Sequence, residues 1–247
     1  MKIVFLTEYY TPFEIGGAER STERLGLELV KAGTPVCVIT PNYGAPATEE
    51  TDGLTIVRLP FPQRLRPGQL VRRFWSGNPL LQVVHATRIA TRIRREGGSL
   101  VHVQNSGMIV AGALAASMTG RPCVVTIRDL AYLTPKNDPS PAGRRLKWQL
   151  DGLWARVEGV LTRPALRSPF VVFVSRALQD LYVRKGIVDG VRTRVIYNIG
   201  PSPYTGAPLP RDGRTVLFVG KLSTGKGLGI LYQAAELLSK ERPDVRF

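Results

Sequence analysis

Three stretches of this 247-residue chain combine residue types that could hold an anion or a sugar. The first is Gly16-Gly17, set directly before a helical pattern at the end of the loop that starts at Glu8. Two adjacent glycines remove two Cβ atoms, so that a diphosphate or a sugar could approach the backbone. A helix N-terminus just behind them would add unpaired N–H groups and partial positive charge. The Gly-x-Gly-x-x-Gly spacing of a dinucleotide fingerprint is absent, and the dipeptide equally suits an ordinary loop entering a helix. The second stretch is Gly220-Lys-Leu-Ser-Thr-Gly-Lys-Gly227, again between a strand and a helix. A phosphate loop that holds Mg²⁺ needs Ser or Thr after its lysine, and Gly227 stands there instead. Phosphate binding by Lys221 and Lys226 survives that objection, whereas nucleotide hydrolysis does not. The third, Thr126-Ile-Arg-Asp129, closes a strand with a charged pair, Arg128 and Asp129, which suits a site and equally suits a solvated strand end. Ser175 and Asn198 follow two further strands, where short polar side chains cap helices and turns.

What would position these residues is an alternation of short β-branched runs with helical patterns. Strands are predicted at Lys2–Thr7, Pro35–Thr40, Leu54–Leu59, Leu100–Gln104, Cys123–Ile127, Phe170–Val174 and Thr193–Tyr197. Helices are predicted at Ala18–Ala32, Pro79–Arg95, Met108–Met118, Ala142–Leu161 and Arg176–Lys185, with Gly33 placed to end the first. Strands alternating with helices of this length imply an α/β fold, a Rossmann-like parallel sheet covered on both faces. Ligands of such sheets bind at the carboxyl ends of the strands, where the stretches above fall. Residues 200–213 carry four prolines and three glycines without hydrophobic periodicity and read as a linker. The predicted organisation is therefore a domain over 1–199, a linker over 200–213 and the start of a second α/β domain over 214–247. That start comprises a strand at Thr215–Val219, a helix near Lys226–Lys240 and the onset of a strand at Val245–Phe247.

Composition narrows the function classes. With 43% hydrophobic residues the chain can build a sizeable core, which excludes a disordered one. Cys37 and Cys123, the only cysteines, lie in apolar runs and read as buried, reduced thiols of a cytoplasmic protein. No stretch has the roughly 18 apolar residues of a spanning helix. Two histidines and two cysteines make a dedicated metal site or a nucleophile–histidine triad improbable, and neither a metal nor another cofactor is expected.

Taken together and in order, these pieces resemble the GT-B glycosyltransferases of family 4. The matching residues are Gly16-Gly17-Ala18-Glu19, Lys31-Ala-Gly33, Thr126-Ile-Arg-Asp129, Val174-Ser175, Val195-Ile-Tyr-Asn198, Val219-Gly-Lys-Leu222 and Lys226-Gly227. The resemblance implies two Rossmann-like domains across a cleft, one mainly for the acceptor and one for the nucleotide-sugar donor. It implies that Lys221 and Lys226 hold the donor diphosphate with Gly16 and Gly17 against it, and that Asn198 belongs to the donor side. Arg128 and Asp129 would border the transferred sugar as the catalytic pair. Transfer would retain the anomeric configuration without a bound metal, the lysines stabilising the leaving diphosphate electrostatically. The acceptor would be a glycan or lipid-linked, in polysaccharide or glycoconjugate synthesis. Much of the family has His-Asp where this chain has Arg128-Asp129, and Lys221 replaces a more usual Arg. The family's Glu-x7-Glu motif would lie beyond Phe247, so the chain alone is expected to be inactive, as a fragment or as half of an enzyme completed by a separate chain.

The formal charge of +15 needs a partner as well. Arginines from Arg64 to Arg95 interleave with Leu65, Leu70, Val71, Phe74 and Trp75, and Arg144-Arg-Leu-Lys-Trp148 opens a similar run. Each helix on its own reads as a core-facing stripe with a solvated basic back. Over the whole chain the charge suits an anionic membrane surface or a lipid-diphosphate acceptor, with the protein peripheral at the inner face. The rival reading, a noncatalytic module for nucleic acid or anionic membrane, lacks any nucleic-acid-binding motif, so nucleic acid is not the expected partner.

Overall fold

The structure is a computed structural model that describes residues 1–67, 69, 79–130, 163–167, 169–200, 205–206, 212–220 and 226–247. The helix predicted at Ala142–Leu161, Lys221, Arg72 and Arg73 lie outside the described residues. The chain divides into two compact units, Met1–Gly200 and Pro201–Phe247.

The first unit is built on one sheet of eight strands: β1 (Ile3–Leu6), β2 (Val36–Asn42), β3 (Thr48–Thr51), β4 (Leu54–Pro60), β5 (Leu100–Val103), β6 (Cys123–Ile127), β7 (Phe170–Phe173) and β8 (Thr193–Val195). Their order is β3-β4-β2-β1-β5-β6-β7-β8, and every pairing is parallel except the hairpin β3–β4. That hairpin corrects the predicted strand list, which contains no β3. Its two-residue turn, Asp52-Gly53, has positive φ at both positions (51° and 79°), the geometry that matches strand twist.

Helices among the described residues of the unit include α1 (Gly17–Lys31), α2 (Pro79–Arg95), α3 (Ile109–Thr119) and α4 (Arg176–Arg184). Gly33 ends α1 as expected: its φ of 79° is left-handed, and the N–H groups of Gly33 and Thr34 reach back to the carbonyls of Val30 and Leu29. The side chain of Ser175 caps α4 by accepting the Leu178 N–H. Strand alternation sends residues to opposite faces of the sheet. Ile3, Phe5, Val38 and Ile56 pack with Leu25 and Leu29 of α1 on one face. Val4, Leu6, Val101 and Val125 pack with Ile89 and Ile93 of α2 and Ile109 and Ala115 of α3 on the other. Gly112 lets α3 seat closely, because a Cβ there would stand 2.5 Å from a Val103 methyl. Cys37 is fully buried, but Cys123 only half-buried; burial pushes both thiols up to about 12.

In the second unit, only a parallel bridge from Thr215 to Arg246 forms where a strand was predicted at Thr215–Val219. The helix predicted from Lys226 begins two residues later, as α5 (Leu228–Glu241).

Candidate functional site at the carboxyl edge of the sheet

Parallel pairing brings the carboxyl ends of seven strands to one edge. From β1 the chain runs outward through β2 on one side and returns to lay β5 on the other, so the order reverses between β1 and β5. At such a reversal the loops leave in opposite directions and open a crevice. Thr7 and Glu8 follow β1 there, and Gln104 and Asn105 follow β5. The Asn105 side chain joins them, donating to Thr7 Oγ1 (3.2 Å) and accepting the Glu8 N–H (3.1 Å).

Gly16 is the N-cap of α1 and Gly17 its first residue. The Glu19 carboxylate, buried, accepts the Gly16 N–H at 2.9 Å and so fixes the loop entering the helix. Among the described residues a Cβ built at either glycine would meet nothing within 4 Å, and Gly16 has an extended φ of −165°. Neither the backbone nor the packing requires glycine here, and the surface beside α1's first turn is open for close approach.

Arg128, beyond β6, is the centre of the site. Its Nε donates to the Gln104 carbonyl (3.2 Å) and its Nη2 to Gln104 Oε1 (2.8 Å). Its Nη1 donates to Ser21 Oγ (3.1 Å) and to Asn198 Oδ1, and Ser21 Oγ donates to the same Asn198 oxygen (3.1 Å). One guanidinium thus ties the loop after β5, α1 and the segment after β8, using the fork geometry that a lysine lacks. Burial pulls its pKa below the usual arginine range, with Glu19 opposing. Gln104 is fully buried, and its Nε2 has no partner among the described residues. Asp129 is exposed; its Oδ2 accepts from Ser106 Oγ (3.4 Å) and its carbonyl from the Tyr182 hydroxyl (3.2 Å). Of the predicted residues, the fold therefore links Arg128 with Asn198, leaves Asp129 beside them, and sets Gly17 one helical turn from Ser21. Asn198 engages Arg128 and Ser21 with its side chain. Lys226, exposed, stands in the second unit just before Gly227, the N-cap of α5.

The reading of the sequence missed the groups that hold the β1–α1 loop. Arg58 of β4 is buried, with its guanidinium donating to the carbonyls of Thr11 and Pro46 (each 2.9 Å) and paired with Glu49 of β3 at 2.8 Å. The Tyr43 hydroxyl donates to the Glu8 carbonyl (2.9 Å), and its ring packs with Tyr9, Phe13 and Phe61. The Glu8 carboxylate lies against Gly107, where an added Cβ would fall 2.3 Å from its Oε2. Beneath Arg128, His102 bonds Thr126 Oγ1 through Nε2 (2.8 Å) and stands edge-on to Phe5. Burial first and Arg128 second lower its pKa to about 4.

Residues 15–199 match Glycosyltransferase Family 4. A curated relative, the uncharacterized 42.6 kDa protein in the cps region of Klebsiella pneumoniae, is 23% identical over 96% of this chain and 65% of its own length. Among solved structures, sucrose-phosphate synthase from Thermosynechococcus elongatus superposes with a TM-score of 0.58 at 17% identity, over 79% of this chain and 47% of that one. The apo lipopolysaccharide outer core galactosyltransferase WaaB gives 0.51 at 11% identity, over 89% and 54%. Both share the fold, and the chain spans about half to two thirds of the length of these relatives.

Proposed function

The chain belongs to Glycosyltransferase Family 4, and from that premise we propose that it acts in transferring a sugar from a nucleoside-diphosphate sugar to a glycan or lipid-linked acceptor. The observation that carries the reading is the carboxyl edge itself. Gly16 and Gly17 leave open space at a helix N-terminus, one turn from the Arg128–Ser21–Asn198 node and beside a sheet reversal. The Klebsiella relative, named for a cps region, favours a role in polysaccharide synthesis.

In this reading the backbone at Gly16-Gly17 lies against the donor. Asp129, the exposed carboxylate of the edge, contacts the transferred sugar. Arg128 and Asn198 border that sugar and hold α1 in register with the loops beyond β5 and β8. As the bond to the anomeric carbon breaks, negative charge grows on the departing diphosphate and positive character on the sugar. Lys221 and Lys226, with the N-terminus of α5, stabilise the first of these. A lysine–phosphate hydrogen bond contributes about 1.5–3 kcal/mol and a helix N-terminus about 0.3–1 kcal/mol. With that cationic charge supplied by side chains, the transfer proceeds without a bound metal, and by its resemblance to the family it retains the anomeric configuration. The chain spans about half to two thirds of the length of its relatives, and the whole activity is proposed on that footing.

The test is isothermal titration of the full protein with UDP- and GDP-sugars, in the presence of EDTA. Lys226→Ala is expected to weaken the bound donor by roughly 10- to 100-fold, the factor that 1.5–3 kcal/mol represents. Unchanged affinity in that variant overturns the diphosphate assignment, and binding lost in EDTA overturns metal independence.

A further inference from the structure

Charge is not spread evenly over the first unit. Residues 1–52 hold eight acidic and four basic residues, whereas residues 79–122 hold five arginines and a single acid, Glu96. The fold places these two stretches on different sides. α1 covers one face of the sheet, while α2 and α3 cover the opposite face. The acids gather on the α1 side: the Glu23 carboxyl is pushed up by burial and by its neighbours Glu14 and Asp52. Glu49 and Glu50 lie on the adjoining edge strand β3.

The other side differs in kind. α2 has no acidic residue, and α3 has no charged residue at all. α2 turns Ala86, Ile89, Ala90 and Ile93 into the core, which leaves Arg88, Arg94 and Arg95 exposed. Arg94 donates to the Met118 carbonyl and pins α2 to α3; exposed Arg121 follows α3. Apolar side chains share that outer surface: Val84 is 43% exposed, Leu114 39% and Met118 46%.

We propose that the outer face of the α2–α3 layer is a docking surface for an anionic lipid bilayer. Arginines with exposed apolar side chains between them suit the boundary between headgroups and acyl chains, where charge attracts and apolar area inserts. A nucleic-acid backbone would reward the arginines and leave Val84, Leu114 and Met118 without a partner. The α1 side, facing away, sets exposed Arg20, Arg24 and Lys31 among its acids and so carries both signs. Docked by this flank, the carboxyl edge of the sheet remains open at the rim of the contact, where a lipid-linked acceptor would reach it. The docking surface stands independently of the donor chemistry proposed above.

The test is co-sedimentation of the protein with phosphatidylcholine vesicles, with and without phosphatidylglycerol, at about 0.15 M salt. Binding is expected only with phosphatidylglycerol and weakens as salt is raised. Each arginine near an anionic surface contributes roughly fivefold, so the triple variant R88E/R95E/R121E should bind at least 100-fold more weakly, with an unchanged circular dichroism spectrum. Leu114→Ser with Met118→Ser should lower binding that persists at high salt. Charge reversal on the far side, E28K/E50K, should not weaken it. Equal binding to neutral vesicles overturns the proposal, as does a triple variant that binds like the wild type. Tighter binding to duplex DNA than to the anionic vesicles assigns the face to nucleic acid instead.

Discussion

Arg58→Met isolates what holds the β1–α1 loop in place. The Arg58 side chain is 1% exposed, while its partner carboxylate, Glu49, is 40% exposed. Removing the guanidinium orphans the half-buried Thr11 carbonyl, at about 1–3 kcal/mol, and takes a hydrogen bond of about 1 kcal/mol from exposed Pro46, while Glu49 rehydrates at little cost. Methionine restores part of the buried apolar stem, about 0.8 kcal/mol per methylene. The net loss is about 2–4 kcal/mol. For a unit of this size that lowers Tm by about 4–16 °C. Arg58→Lys keeps the charge but cannot reach both carbonyls and the carboxylate, so it should fall between. Glu49→Gln should cost about 1 kcal/mol, because its charge is partly solvated. Thermal unfolding followed by near-UV circular dichroism gives the order, and amide exchange gives the place: faster exchange at residues 9–16 and 43–47 with the central strands protected. A Tm for Arg58→Met within 2 °C of the wild type, or exchange raised equally across the sheet, refutes the account.

Other outcomes follow from the same geometry. Gly16→Ala and Gly17→Ala should leave stability unchanged, since their Cβ atoms meet none of the described residues, and should weaken binding of nucleoside-diphosphate sugars in titration. Gly112→Ala, with contacts of 2.5 Å to Val103 and 3.0 Å to Leu6, should lower stability by about 1–3 kcal/mol in urea denaturation. His102 has a folded pKa of about 4, below its unfolded value of about 6.5, so the unfolded chain binds the extra proton between them. Its contribution is therefore whole above pH 6.5 and lost as pH falls towards 4; wild type minus His102→Gln should show that slope, and a flat difference counts against a buried neutral ring.

Much of the sheet was legible because its strands are buried on both faces and read as short β-branched runs. Cys123–Ile127 coincides with β6, and most other predicted strands differ from the structure by one or two residues at an end. β3 escaped because Thr48-Glu-Glu-Thr51 shows no apolar alternation, being largely exposed. Its signal was the Asp52-Gly53 pair behind it, a hairpin turn in two residues. At the site, Arg128 and Asp129 were found from their place at a strand's carboxyl end, and the same rule applied to β5 points to Gln104 and Asn105. Arg58 had a signal too: it shares a strand face with the apolar Leu54 and Ile56, where a charge must find partners. Ser21 had none, because its bond to Arg128 spans 107 residues and depends on tertiary packing alone.

The β3–β4 hairpin has a consequence for how the molecule behaves in a crowded solution. An outermost strand offers unpaired N–H and C=O groups, onto which a strand of another molecule can add. Without β3 that border would be β4, whose Leu54, Ile56 and Val57 are buried and would make an adhesive template. β3 caps it with Thr48-Glu-Glu-Thr51, four residues with two carboxylates, of which Glu49 is tied to Arg58 and Glu50 lies exposed. The opposite border, β8, is only three residues long and carries Arg194. The sheet thus ends on both sides in short charged strands, and like charges keep two β3 borders, or two β8 borders, from pairing with each other.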